Sequence, residues 1–255
     1  MRLGFLGTGT AIPSATRGAS GYVLEAEGEV LLLECGPGST RRWPAMGLDF
    51  TRVGAVLCSH HHVDHCGDLA ALLFGRNVAP EVHPGLVFAG PTGHRLLVER
   101  LGEAFGAGVA HEDLEVLELA DGDRVTLAGF TVEARAMAHP RRNPDDAPAL
   151  GFRIERRGKR LAFSGDSGPC DALVELCRGA GLALLECSYP AGRESSSHLN
   201  AETVAQVARE GAVERLVLTH IYPQTDRVDL VAEVRAAGYE GELTVASDGL
   251  WLEVP

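Results

Sequence analysis

Seven consecutive residues, Ser59-His60-His61-His62-Val63-Asp64-His65, hold four histidines and one aspartate directly after the apolar run at 53–58. Imidazole nitrogen and carboxylate oxygen suit zinc, manganese and iron(II). Side chains two apart on an extended segment point to the same side, so His60 and His62 can face one ion. Asp64 and His65 follow the turn and can face a second ion close by. The same alternation sends His61 the other way, toward packing or a supporting contact. The plain alternative is a polar surface turn with histidines by chance, and four in seven residues makes it a poor one.

Further ligands are expected at strand ends, where a layered sheet protein presents an edge. His139 ends a strand at 130–138 and is followed by Pro140, which stops it. Asp166 ends a strand at 159–164 within Phe163-Ser164-Gly165-Asp166-Ser167, and His220 ends Leu216-Val217-Leu218-Thr219. A lone histidine at a strand end is more often a satisfied polar residue than a ligand. Three such positions after the opening cluster favour a ligand set. His198, in Ser197-His198-Leu199-Asn200-Ala201, stands just before a helix, and its plain alternative is a loop histidine near a helix N-terminus. His83, His94 and His111 lack any such setting and are expected at the surface.

Strands are expected at 2–6, 20–26, 29–34, 53–58, 85–89, 114–119, 124–127 and 130–137, then at 150–155, 159–164, 183–186, 215–220, 242–246 and 249–254. Ser39 is placed to cap a short helix through Arg42 to Met46, and further helices are expected from Asp68 and near 92–105, 170–178, 201–209 and 227–237. Strand-rich stretches followed by strand–helix alternation, twice over, predict an α/β fold: a four-layer α/β/β/α sandwich rather than a doubly wound sheet. No low-complexity linker divides the chain, so residues 1–255 read as a single domain.

The bulk properties are consistent with this. Apolar and charged fractions of 45% and 23% are those of an ordinary globular protein, and 31 glycines imply many tight turns and a site built on loops. A net charge of −12 weighs against broad polynucleotide binding but not against a small phosphorylated substrate, because bound dications supply local positive charge. No apolar run approaches the length of a membrane span, and the start Met1–Gly7 reads as a strand rather than a secretory leader, so a cytoplasmic location is expected. The six cysteines, at 35, 58, 66, 170, 177 and 187, form no CxxC pair and are expected as free thiols.

The pattern HxHxDH, met by His60, His62, Asp64 and His65 with His139, Asp166 and His220 following, resembles the metallo-β-lactamase superfamily. Within it the chain is similar to the ribonuclease Z branch, nearly end to end. The opening Phe5-Leu6-Gly7-Thr8-Gly9-Thr10-Ala11-Ile12-Pro13-Ser14 with Arg17 carries that resemblance, as do Ser164-Gly165-Asp166-Ser167-Gly168-Pro169, Glu186 in Leu185-Glu186-Cys187-Ser188-Tyr189, and His198. The resemblance implies two divalent metal ions, zinc by expectation with manganese or iron(II) as alternatives. His60, His62 and His139 would hold one, Asp64, His65 and His220 the other, and Asp166 would bridge them beside a shared water or hydroxide. His198 would serve the leaving group, with Glu186 orienting it, and Asp64 would hold the water. Relatives in the branch often dimerise, which makes a homodimer an expectation here.

One departure bears on the substrate. Ribonuclease Z carries a long Gly/Pro-rich arm between the third ligand and the bridging aspartate, which grips tRNA. Here only the 26 residues Pro140 to Gly165 lie between, and one loop and two strands fill them. That argues against an extended tRNA grip and for a small phosphodiester or short RNA. Arg141 and Arg142 are candidates to receive a phosphate, or else a solvated charged loop with Asp145 and Asp146. The leading expectation is a dinuclear metal-dependent phosphodiesterase. The alternatives are a hydrolase of an ester, thioester or lactone on the same site, and a metal-bearing binding protein that does no chemistry.

Overall fold

Strands that are apolar on both faces need cover on both sides. β3 (Glu29–Leu33) sends Leu31 and Leu33 to one face and Val30 and Leu32 to the other, and all four are buried. β11 (Leu182–Glu186) does the same with Leu182 and Leu184 against Ala183 and Leu185. A computed structural model, which describes residues 1–82, 85–109, 114–140 and 147–255, meets this demand with two seven-stranded sheets packed face to face and helices outside each.

The first sheet runs β14 (Trp251–Glu253), β1 (Arg2–Gly7), β2 (Gly21–Ala26), β3, β4 (Ala55–Leu57), β5 (Leu86–Pro91) and β6 (Leu114–Leu119). The second runs β13 (Glu242–Val245), β12 (Arg215–Thr219), β11, β10 (Lys159–Phe163), β9 (Leu150–Arg156), β8 (Phe130–Ala136) and β7 (Arg124–Leu127). Each sheet has three antiparallel pairings and then three parallel ones, β3 to β6 and β10 to β13. The repeat visible in the sequence is therefore a repeat of topology.

Three cores fill the spaces between four layers. Phe5, Tyr22, Phe130, Phe152 and Phe163 lie between the sheets. Tyr22 touches Phe5 and Phe163 edge-on at 5.8 and 5.4 Å and so joins one sheet to the other. Helices α1 (Ser39–Ala45), α3 (Leu69–Val78) and α4 (His94–Phe105) cover the first sheet through Trp43, Leu72 and Leu97. Helices α5 (Asp171–Cys177), α6 (Ala201–Glu210) and α7 (Leu230–Ala236) cover the second through Leu173, Val204 and Val234. Burial of each such large side chain contributes about 1.5–3 kcal/mol.

The elements follow the sequence expectations with local differences. Ser39 does not cap α1; Gly38 stands at that position in a left-handed conformation. The capping acceptor is Asp68, whose Oδ2 takes hydrogen bonds from the backbone N–H of Gly38 and Thr40 at 3.0 Å each. The last helix starts at Leu230 because the Asp229 carboxylate accepts from Ala232 N–H and fixes its first turn there. A short helix, α2 (Val63–Cys66), forms the turn that carries Asp64 and His65. All six cysteines are free thiols, and no helix among the described residues is long and apolar enough to cross a membrane. His83, His111, Arg141, Arg142, Asp145 and Asp146 lie outside the described residues.

Candidate metal centre

The parallel strands β3, β4, β10, β11 and β12 release their chains at one edge, and the polar residues of the sequence motifs follow their last residues. β4 leads through Ser59 to His60 and His62, and α2 then turns Asp64 and His65 back toward them. β10 leads to Asp166, β11 ends on Glu186, and β12 leads to His220. Backbone bonds lock these loops together: Cys35 N–H to His65 O at 2.7 Å, Gly168 N–H to Ala138 O at 2.7 Å and Ile221 N–H to Thr8 O at 2.9 Å. Gly36 permits a close approach, since a Cβ there would fall 2.1 Å from the Asp64 carbonyl oxygen. His220 and Glu34 adopt positive φ, 54° and 57°, a strained choice for residues with side chains that the surrounding fold must hold in place.

Seven side chains converge in two groups. In the first, His60 Nε2 lies 2.8 Å from His62 Nδ1, His139 Nε2 lies 3.4 Å from His62 Nδ1, and Asp166 Oδ2 lies 3.8 Å from His60 Nε2. In the second, Asp64 Oδ2 lies 3.6 Å from His65 Nε2 and 3.4 Å from His220 Nε2. Asp166 faces both: its Oδ1 is 3.4 Å from the Nε2 atoms of His65 and His220. Two ligands about 2.1 Å from one ion at the tetrahedral angle stand about 3.4 Å apart, which the separations of 3.4–3.6 Å match, while His60 stands nearer to His62 and farther from Asp166.

Several of the donor atoms also show the character an ion requires. His65 Nε2 and Asp166 Oδ1 are buried and lack any hydrogen-bond partner, a costly state for polar atoms unless something else satisfies them. Burial, with the neighbouring His65, holds His60 well below its ordinary value, and burial lowers His62 and His139 as well, leaving neutral imidazoles with lone pairs to give. Burial alone would raise the Asp166 carboxyl, but the imidazoles of His220 and His65 override it and hold it well below the carboxylate range. Opposite the donors, Ser197 carbonyl oxygen accepts from His139 Nδ1–H at 2.9 Å. Ser188 donates to Glu186 Oε2 at 2.5 Å and so must accept from His220 Nδ1–H, 3.0 Å away. Both bonds put the Nε2 lone pair toward the centre.

His198 stands beside the two groups. Its Nδ1 lies 2.9 Å from Glu186 Oε1 and 4.0 Å from Asp166 Oδ2, and its ring stacks on His220 at 5.7 Å with planes 13° apart. Asp166, His198 and His220 also approach closely enough to hold an ion, but the Glu186 hydrogen bond already occupies His198 Nδ1. Glu186 is fully buried and accepts the Ser167 N–H at 2.9 Å as well. Burial lowers the His198 pKa; the hydrogen bond and charge of Glu186, with Asp166 behind, outweigh burial and leave it raised. Asn200 and Thr203 form a reciprocal cap at the start of α6, which fixes the backbone two residues past His198.

Four contributors escaped the sequence reading. Glu34, read only as the last residue of a strand, is buried with Oε1 3.7 Å from His65 Nδ1 and accepting Ser59 N–H at 3.0 Å. Ser59 Oγ lies 2.9 Å from His60 Nδ1, and Ser188 and the Ser197 carbonyl complete the set. An imidazole that gives one nitrogen to an ion uses the other to fix its orientation, and that rule was the available signal. His94, expected at the surface, is fully buried: its Nδ1 is 3.1 Å from His61 Nε2 and the two rings stack, which accounts for the outward-turned His61.

The description "beta-lactamase superfamily domain" matches residues 30–221. Ribonuclease Z of Myxococcus xanthus is 30% identical over 305 aligned positions, covering 100% of this chain and 98% of that protein. Ribonuclease Z of Mycolicibacterium gilvum is 32% identical, covering 95% of this chain and 92% of that one. The crystal structure of the short form of human tRNase Z superimposes with a TM-score of 0.78 at 26% identity over 100% of both chains. The two sheets, their outer helices and the histidine–aspartate clusters at one edge agree with these matches: the chain belongs to the metallo-β-lactamase superfamily. Within it, the chain is a ribonuclease Z-like metal-dependent hydrolase. The Myxococcus alignment runs to 305 positions against 255 residues here, so that relative carries segments with no counterpart in this chain.

Proposed function

We propose that the protein is a dinuclear phosphodiesterase acting on a small phosphodiester or short RNA, with residues 1–255 working as one domain. His60, His62 and His139 would hold one ion, Asp64, His65 and His220 the other, and Asp166 would bridge them; zinc is the expected metal. Two dications at such a site supply Lewis-acid charge to the phosphoryl oxygens and an acidified water as nucleophile. Asp64 orients that water and can receive its proton. His198, with Nδ1–H held by Glu186, presents Nε2–H to the departing oxygen. A positioned acid of this kind contributes typically ~100- to 10,000-fold.

The observation that carries the reading is the His198–Glu186 pair beside Asp166 and His220. An alkoxide leaving group needs a proton and a thiolate does not, so the pair favours an oxygen ester over a thioester; similarity to ribonuclease Z relatives supports a phosphodiester over a lactone. Among the described residues, β9 and β10 are the only strands between His139 and Asp166, and the sequence places just 26 residues there, which supports a substrate held close to the centre. The test is a side-by-side panel of a dinucleotide, a thioester and a lactone on metal-loaded protein. Preference for the dinucleotide supports the proposal; preference for either acyl compound replaces it with an acyl hydrolase on the same residues.

A further inference from the structure

Beside His198 lies a pair of tyrosines, one of which, Tyr222, also meets the His220 ring edge-on at 5.8 Å. Tyr189, one residue past Ser188, and Tyr222, two past His220, stack with centroids 5.5 Å apart and planes 25° apart. Both meet the His198 ring edge-on, at 5.8 and 6.2 Å. Neither tyrosine belongs to any of the three cores, and both are half-buried. The guanidinium of exposed Arg193 lies over the Tyr189 ring, 3.8 Å from its centroid, with no carboxylate partner among the described residues. A planar, delocalised, solvent-accessible group thus sits at stacking distance on a ring next to the residue that serves the leaving oxygen.

We propose that Tyr189 and Tyr222, with Arg193 above, form a stacking platform for a nucleobase of the substrate, on the leaving-group side of the scissile bond. The base takes the position the guanidinium now holds on Tyr189, and Arg193 closes over its other face. Stacking tolerates any base because every base has a π face. The proposal rests on the phosphodiesterase reading and narrows it to diesters that carry a nucleoside.

The test is calorimetric titration of metal-loaded protein with adenosine 5′-monophosphate and with ribose 5-phosphate, which has the phosphate but no base. The nucleotide binds roughly 10-fold or more tightly. Tyr189→Ala removes that preference while leaving ribose 5-phosphate affinity unchanged, and Tyr189→Phe retains it. If Tyr189→Ala does not fold, Arg193→Ala at its exposed position carries the test, and must weaken nucleotide binding more than ribose 5-phosphate binding. Equal affinity for the two ligands in the unaltered protein, or a preference that survives Tyr189→Ala, overturns the platform. Turnover of bis(p-nitrophenyl) phosphate is measured in parallel. Turnover without a base preference sinks the platform alone, whereas a base preference without diester turnover sinks the phosphodiesterase reading alone.

Discussion

Glu186→Gln isolates the electrostatic role of the buried carboxylate, because the amide can keep nearly every contact. Glu186 Oε1 accepts from Ser167 N–H and from His198 Nδ1–H, at 2.9 Å each, and an amide oxygen there serves both. The amide NH2 then faces Ser188 Oγ, which accepts it and turns its own proton toward the His220 carbonyl, 3.4 Å away. Only the negative charge is lost. The amide still accepts a neutral hydrogen bond, so the loss is the difference between a charged and a neutral bond, about 1–1.5 kcal/mol, and at about 1.36 kcal/mol per decade this is a roughly 5- to 13-fold fall in kcat when the leaving group is an alkoxide. The pH dependence has a defined sign. His198 is raised in the folded protein, so it remains protonated to a higher pH than a free imidazole, and activity that needs its proton falls as pH rises through that value. Without the carboxylate, burial dominates and the fall moves to lower pH. The assay compares a dinucleotide with bis(p-nitrophenyl) phosphate, whose p-nitrophenolate departs without a proton. The dinucleotide rate drops by the factor above, while the p-nitrophenyl rate changes by less than about threefold. An equal loss on both substrates would mean that Glu186 supports the metal centre rather than the acid, and no loss on either would refute the role of the pair.

Other consequences are open to measurement. Chelation should lower the melting temperature, because ions bound at 100-fold over their Kd add about 2.7 kcal/mol, or about 5–10 °C for a chain of this size; a melting curve indifferent to chelator would contradict the buried ligand set. Ser188→Ala removes the hydroxyl that accepts from His220 Nδ1–H and should weaken metal binding about 10- to 100-fold with the fold intact, as read by competition with a chromogenic chelator. Gly36→Ala drives a Cβ to 2.1 Å from the Asp64 carbonyl, and the forced shift should cost about 1–3 kcal/mol in denaturant unfolding along with metal affinity; unchanged stability would show that the two loops are less tightly joined than described.

The candidate ligands were legible because each follows a strand end and bears chemistry that apolar neighbours do not share. Strand alternation was legible for the same reason in Val30–Leu33 and Leu182–Leu185, although full burial on both faces made these runs poorer in polar contrast. Glu34 was not legible, because nothing local separates a buried carboxylate that accepts from Ser59 N–H and lies 3.7 Å from His65 Nδ1 from an ordinary polar strand end. The same holds for Ser188, whose role depends on His220, 32 residues away. His94 misled because an isolated polar residue at a helix start suggests exposure, whereas its partner His61 lies 33 residues earlier in the chain. Asp68 in place of Ser39 as the cap of α1 repeats the lesson: a distant side chain won over the local one. What sequence spacing cannot supply is the second nitrogen's partner, and this fold takes most of those partners from other loops.

The central claim is that two ions bound by these seven residues are needed together for diester cleavage. Metal-free protein titrated with zinc, with bound ions per chain counted by elemental analysis and dinucleotide turnover measured at each point, tests it most directly. The account predicts that turnover follows occupancy of the second equivalent and is absent in Asp166→Ala at any zinc concentration. Full turnover at one ion per chain, or turnover that survives complete removal of metal, would contradict it.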